Sequence, residues 1–276
     1  MFGIDAGGTF IKFGDPREGY FEMFALPYTK EWVAKHMTKN TPPLLVTGAG
    51  SHRMTDWFPE KHIEIVPELM ATGLGGAHLS GLDTCVVLNI GSGTPVLLVD
   101  RRLKKVVHVS GTGLGSASLA GLAYFMTGIT DLDQIEREAL LGDPESVTLL
   151  ISDIYPNPGN LGLPGDVTAS NFGKYQSWRI NDIKIQPKRE DLLAGLHRMV
   201  GETLAVIGSL ACKTCAAGCE DGGSGLTVVV TGGGTLNKAL CRHISRTFEY
   251  LNQPFVIPDK AEYSTLHGLF VYKDLL

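Results

Sequence analysis

Apolar residues over Phe2–Ile4 and Thr9–Phe13 flank Gly7-Gly8, and this spacing predicts a β-hairpin whose turn needs positive φ. Asp5 ends the first strand at the tip. Tyr20–Leu26 alternates as a third strand, Lys30–Lys39 carries a weak helical spacing, and Leu44–Thr47 is a short apolar strand stopped by Gly48-Ala-Gly50. Ile63–Val66 is a further strand, and Pro67-Glu68 stands at the start of a Gly- and Ala-rich helix over Leu69–Ser80. Three antiparallel strands followed by alternating helix and strand make a mixed α/β layer.

Near residue 83 the pattern restarts. Cys85–Ile90, the turn Gly91-Ser-Gly-Thr94, Pro95–Val99 and Val106–Val109 repeat the opening logic of strand, Gly-Thr turn, strand and strand. Gly8-Thr9 and Gly93-Thr94 correspond at a spacing of 85 residues, which predicts an internal duplication and two related lobes facing each other across a cleft. Ser110–Gly115 reads as a second glycine-rich turn that opens a helix over Ser116–Thr127. Such a helix start, with Gly111, Thr112 and Gly115, is a candidate anion site.

A helix over Asp131–Leu141, a break at Gly142–Pro144 and an apolar segment over Val147–Ile154 follow. Tyr155–Gly165, rich in proline and glycine, is irregular, and Pro164–Gly173 is a polar loop dense in Asp, Thr, Ser and Asn. Arg189–Ala217 is one long helix with apolar residues at threes and fours, suited to a lobe's core or a dimer face. After a turn at Gly222–Gly225, the strand Leu226–Thr231 runs into Gly232-Gly-Gly-Thr235 and a helix to Leu251. A strand at Pro254–Ile257 and a helix over Ala261–Tyr272 close the chain.

The chain's 276 residues suffice for a substantial core, and its 43% hydrophobic and 19% charged composition is that of a globular protein. A net charge of -5 with no basic run argues against nucleic acid, and the absence of an 18-residue uncharged apolar stretch argues against a membrane span. With no signal-like start, the expected place is the cytoplasm. Five cysteines make a disulfide framework a poor expectation; Cys212, Cys215 and Cys219 read as small buried thiols, with a cluster or metal site as the alternative.

The chemistry concentrates at the first hairpin. Asp5, the amides of Gly7 and Gly8, and Lys12 suit a metal-bound polyphosphate, although the P-loop pattern is absent. Taken alone, the same residues also fit an ordinary Gly-Gly turn with an exposed Asp5. Taken together, the motifs resemble those of the acetate kinase, sugar kinase, heat-shock ATPase and actin superfamily. Gly3–Lys12 looks like its first phosphate motif, Asn89–Thr94 its second and Thr231–Thr235 its adenosine motif. More narrowly, Pro67-Glu68, Val109–Thr112 and Pro164–Gly173 resemble type II pantothenate kinases.

That resemblance implies an α/β protein of two ribonuclease-H-like lobes with mixed sheets flanked by helices, at residues 1–82 and 83–276, the second lobe carrying nucleotide-binding and dimerisation elements. It implies a homodimer that uses ATP and Mg²⁺ to phosphorylate the primary hydroxyl of pantothenate or an analogue, toward coenzyme A. Glu68 would be the general base, and Asp5 would hold Mg²⁺ through water. Thr9, Lys12 and the turn residues Gly7, Gly8, Gly91, Ser92, Gly93 and Thr94 would take the phosphates, with Gly232, Gly233 and Gly234 against adenosine. His108 stands where the family carries an Arg, which puts the acceptor in question more than the kinase chemistry; Ser116 and Ala117 stand where it carries glycines. The rivals are an actin-fold activator of 2-hydroxyacyl-CoA dehydratases, a kinase for another small alcohol, and a non-catalytic nucleotide binder.

Overall fold

Two sheets organise the chain, and each is built from one half of the predicted repeat. In the computed structural model, which describes residues 1–37, 43–181, 185–217 and 225–276, the first half contributes strands β1 (Phe2–Ala6), β2 (Phe10–Asp15) and β3 (Tyr20–Ala25). Helix α1 (Lys30–His36), strand β4 (Leu44–Thr47), helix α2 (Ser51–Trp57), strand β5 (Ile63–Ile65) and helix α3 (Glu68–Ser80) complete it. The order is β3-β2-β1-β4-β5, antiparallel up to β1 and parallel beyond.

The second half begins with β6 (Thr84–Asn89), β7 (Thr94–Asp100) and β8 (Lys105–Thr112). It continues through α4 (Ser116–Thr127), α5 (Leu132–Leu141), β9 (Leu149–Leu150), α6 (Ile151–Ile154), β10 (Thr168–Ser170), α7 (Lys174–Ile180) and α8 (Arg189–Ala217). It ends with β11 (Val228–Thr231), α9 (Lys238–Tyr250), β12 (Phe255–Val256) and α10 (Ser264–Tyr272). Its sheet, β12-β11-β6-β7-β8, repeats the first with the same antiparallel and parallel pairings. The duplication expected from the two Gly-Thr turns is thus a duplication of whole sheets.

Both sheets belong to one compact unit, formed by Met1–Ala117, Val206–Leu236 and Phe248–Leu276. Within it the last helices of the two halves are exchanged. Helix α3, at the end of the first half, lies on β6, β7, β8 and β11, whereas α10, at the end of the second, lies on β1, β2 and β4. Leu74 and Ala77 pack with Val87, Leu97 and Val99, and Leu266, Leu269 and Phe270 pack with Leu45 and Val66. The two helices cross at backbone contact. A Cβ on Gly75 would stand 1.7 Å from Ser264 O, and one on Gly268 would stand 1.7 Å from Ala71 O. The Gly-rich composition of α3 therefore has a packing cause.

The second compact unit is Ser118–Ala205 with Asn237–Thr247. Arg198, 2% exposed, fixes its Pro164–Gly173 segment: Nη2 donates to Asp166 O at 2.6 Å and Nε to Thr168 Oγ1 at 2.9 Å and Glu202 Oε1 at 2.8 Å. That segment is not loop throughout, because Thr168–Ser170 pairs antiparallel with Leu149–Leu150. Three residues are too few for alternation to announce a strand.

Other expectations change locally. Gly7 and Gly8 are not among the positive-φ glycines; a Cβ on Gly7 would stand 2.9 Å from Phe10 O, so close approach is what calls for glycine there. Strand β8 runs through Ser110, Gly111 and Thr112, leaving only Gly113–Gly115 as the turn. Helices α2 and α7 carry no apolar stripe to predict them. Helix α8 has the expected bounds, with Leu193, Leu196, Val200 and Leu204 buried, and by length and composition alone it also meets the criterion for a membrane span. Cys219, Lys39 and positions 222–224 of the predicted turn lie outside the described residues.

Adding a methyl at the helix crossing forces the two helices apart. Gly75→Ala and Gly268→Ala are each expected to cost more than about 3 kcal/mol by chemical denaturation, at the upper end of overpacking effects. Gly121→Ala in α4, where a Cβ meets open space, is expected to be neutral or to stabilise by up to about 1 kcal/mol.

Candidate active site

The two duplicated turns meet. Thr9 Oγ1 of the β1–β2 turn lies 2.8 Å from Ser92 Oγ of the β6–β7 turn, and both residues line a cavity of about 490 Å³ within the first compact unit. That volume suits a small-molecule ligand. The walls include the predicted Asp5, Gly7, Gly8, Thr9, Lys12, Glu68, Gly91, Ser92, Gly93, Thr94, His108, Gly111, Thr112, Gly232 and Gly233. Gly115 and Gly234 are not on the walls and instead back them. A Cβ on Gly115 would meet Ser92 O at 2.6 Å, and one on Gly234 would meet Ile90 Cγ2 at 2.3 Å.

At the floor, Asp5 and Lys12 are register partners across β1 and β2, so their side chains share a face. Lys12 Nζ stands 3.2 Å from Asp5 Oδ2, and both residues are buried. The equivalent position in the second sheet is Asn89: Asp5 pairs with Thr47, as Asn89 pairs with Thr231. Thr231 Oγ1 donates to Asn89 Oδ1 at 3.1 Å. After each of these threonines the chain turns sharply on a glycine, Gly48 at φ 89° and Gly232 at φ 91°, and a Cβ on either would fall 2.6 Å from the carbonyl oxygen of Ala6 or Ile90. Only glycine combines that φ with that approach.

Not every predicted amide is available. Gly91 N donates to Gly93 O at 2.9 Å, Gly232 N to Ala261 O at 3.0 Å and Gly234 N to Ile90 O at 2.8 Å. The Gly232–Gly234 segment thus offers a flat backbone surface more than a row of donors. Sequence reasoning missed Ala49, Pro95, Ser116 and Thr265 as wall residues, and took Phe10 and Asn89 only as members of the two phosphate motifs, with no role of their own. The repeat itself could have given Asn89 as Asp5's counterpart, whereas Thr265 reaches the cavity only through the position of α10. Ser116 Oγ is buried without a hydrogen-bond partner on the wall, beside Gly234.

Glu68 is the first residue of α3, set there by Pro67 at the N-cap, whose fixed φ suits the chain's entry into the helix. Burial pushes its carboxyl above the ordinary range, Asp5 pushes it further, and Lys12 opposes both. The site therefore holds an ionised pair and a carboxyl of raised proton affinity, together with turn backbone and a neutral amide. Such a group can accept a proton beside a bound anion. His108, exposed on β8 next to a register shift between Val96 and Leu97, faces the same cavity.

Because the two neighbours act in opposite directions, single substitutions should separate them. Carbon-13 carboxyl titration of Glu68 is expected to show a lower pKa in Asp5→Asn and a higher one in Lys12→Met, with burial keeping both above the ordinary value.

Comparison with known proteins bears on this arrangement. Residues 83–218 match the sequence model of the Fumble family. Across 286 aligned positions, covering 98% of this chain and 99% of the relative, the protein is 25% identical to the type II pantothenate kinase of Staphylococcus aureus strain USA300. It is 26% identical to that of Oceanobacillus iheyensis over 216 positions, 74% of this chain and 76% of the relative. Among solved structures, the activator of 2-hydroxyisocaproyl-CoA dehydratase from Clostridium difficile, with bound ADPNP, superposes with a TM-score of 0.62 at 16% identity, covering 100% of this chain and 95% of that one. Component A of the (R)-2-hydroxyglutaryl-CoA dehydratase of Acidaminococcus fermentans gives 0.61 at 16%, covering 100% and 98%. These two establish the fold, that of the actin-like ATPases. In sequence, the chain is similar to the Fumble family over residues 83–218 and to type II pantothenate kinases over most of its length.

Proposed function

We propose that the protein is an ATP-dependent kinase that transfers a phosphoryl group to the primary hydroxyl of pantothenate, with Glu68 as general base. The observation that carries this reading is the carboxyl of Glu68, raised in proton affinity, on the same cavity as both Gly-Thr turns. The 25% identity to a type II pantothenate kinase over nearly the whole chain supports the acceptor.

In this reading the acceptor's hydroxyl oxygen bonds to the terminal phosphorus of ATP as the bond to the bridging oxygen breaks. Glu68 takes the hydroxyl proton, and ADP leaves. A raised pKa makes the carboxylate a stronger base. Lys12, with the Gly7–Thr9 and Ser92–Thr94 turns, holds the phosphates, and Gly232 and Gly233 lie against adenosine. His108 hydrogen-bonds the acceptor. Asp5, a carboxylate with Lys12 Nζ 3.2 Å from its Oδ2, would hold Mg²⁺ through water, an ion that would supply charge neutralisation to the polyphosphate when bound. The reading takes residues 1–82 and 83–276 as its two lobes, each contributing one five-stranded sheet.

The dehydratase-activator reading rested on Cys212, Cys215 and Cys219. Cys212 is 2% exposed and its thiol is pushed up to about 12, chiefly by burial, which suits a small packed side chain. The solved activators, at 16% identity, speak for the fold alone.

Glu68→Gln is expected to keep nucleotide binding and to lose about 10²–10⁴ in turnover with pantothenate; turnover near the parent value would remove Glu68 from this role. The reading includes a homodimer through α8, supported by its exposed Val206 and Leu210. Sedimentation of the same enzyme should give twice the 29.7 kDa chain mass.

A further inference from the structure

A second cavity, of about 400 Å³, lies wholly within the other compact unit and is lined by Gly142, Asp143, Pro144, Glu145, Arg242, His243 and Arg246. Its charges are unevenly satisfied. The oxygens of Asp143 accept from Glu145 N at 2.9 Å and Ser146 Oγ at 3.0 Å, so this carboxylate is spent on its own turn. Arg246 pairs with Asp166 at a half-exposed position. Arg242, one helical turn earlier on α9, makes no hydrogen bond or ion pair within the described residues.

Behind the wall two buried groups lack partners. His243 is 4% exposed and its Nε2 has no hydrogen bond. Arg198 Nη1 is likewise bare, with only Glu145 Oε1 at 3.9 Å, beyond hydrogen-bond reach. Burial, then Arg242, Arg198, His197 and Arg246, push the His243 imidazole down to about 3. The imidazole is therefore neutral, and of the three guanidinium groups that act on it Arg198 pairs with Glu202 and Arg246 with Asp166, which leaves Arg242 unpaired among the described residues. A bare buried donor such as Arg198 Nη1 is costly, and beside the unpaired Arg242 its natural complement is an anion.

We propose that this cavity binds a phosphate-bearing small molecule, gripped by the guanidinium groups of Arg242 and Arg246, with His243 Nε2 as a hydrogen-bond partner. Planar guanidinium forks match phosphate oxygens. The site is separate from the Glu68 cavity and does not depend on the kinase reading.

The test is calorimetric titration of the full chain with inorganic phosphate, comparing the parent with Arg242→Gln and Asp5→Asn. Arg242 is exposed, so its replacement leaves the fold intact. The proposal expects saturable binding that weakens at least tenfold in Arg242→Gln and persists in Asp5→Asn. No binding to the parent at millimolar phosphate overturns it. So does binding that Arg242→Gln leaves unchanged, whether or not Asp5→Asn removes it.

Discussion

The crossing of α3 and α10 is the constraint on which the rest of the structure depends. Gly75 and Gly268 let two helices touch backbone to backbone, and each helix simultaneously covers the sheet of the opposite half. The exchange ties the two sheets together through one small-residue contact. It also sets the site. Glu68 enters the cavity because it is the first residue of α3, and Thr265 because it lies at the start of α10. A methyl at the crossing would displace both ends of the cavity together.

Duplication supplies the frame, and its imperfections supply the chemistry. Asp5 and Asn89 occupy equivalent positions beside Thr47 and Thr231. Only the first copy carries charge, and that charge is balanced by Lys12 at 3.2 Å. Two carboxylates at the floor would repel the polyphosphate of the proposed reaction; one ion pair and one amide make the floor nearly neutral. The remaining carboxyl, Glu68, stands on the wall with its proton affinity raised by burial and by Asp5. In the proposed reaction, acid–base capacity is thereby separated from phosphate binding.

Much of this was legible in the residues. The paired Gly-Thr turns announced the repeat, because strand, small turn and strand leave a strong signal where apolar segments are cut by glycine. Nearly all the predicted site residues converge on one cavity because most sit in the turns or at the strand and helix ends that the repeat places, with Lys12 and His108 inside β2 and β8. What stayed hidden depends on contacts distant in sequence. Gly7 and Gly8 looked like positive-φ residues, yet the need at Gly7 is space beside Phe10 O. The glycines of α3 gave no hint of their partner, since nothing local to residues 68–80 points to Ser264 or Gly268. Strand β10 and the buried Arg198 that anchors it could not be read from a short polar segment.

The most direct test of the account follows phosphorus in the complete protein supplied with ATP, Mg²⁺ and pantothenate. Phosphorus-31 spectra are predicted to show a phosphomonoester of pantothenate growing in step with ADP. Bound ATP that yields no such ester, or ADP and free phosphate formed at the same rate with and without pantothenate, would contradict it.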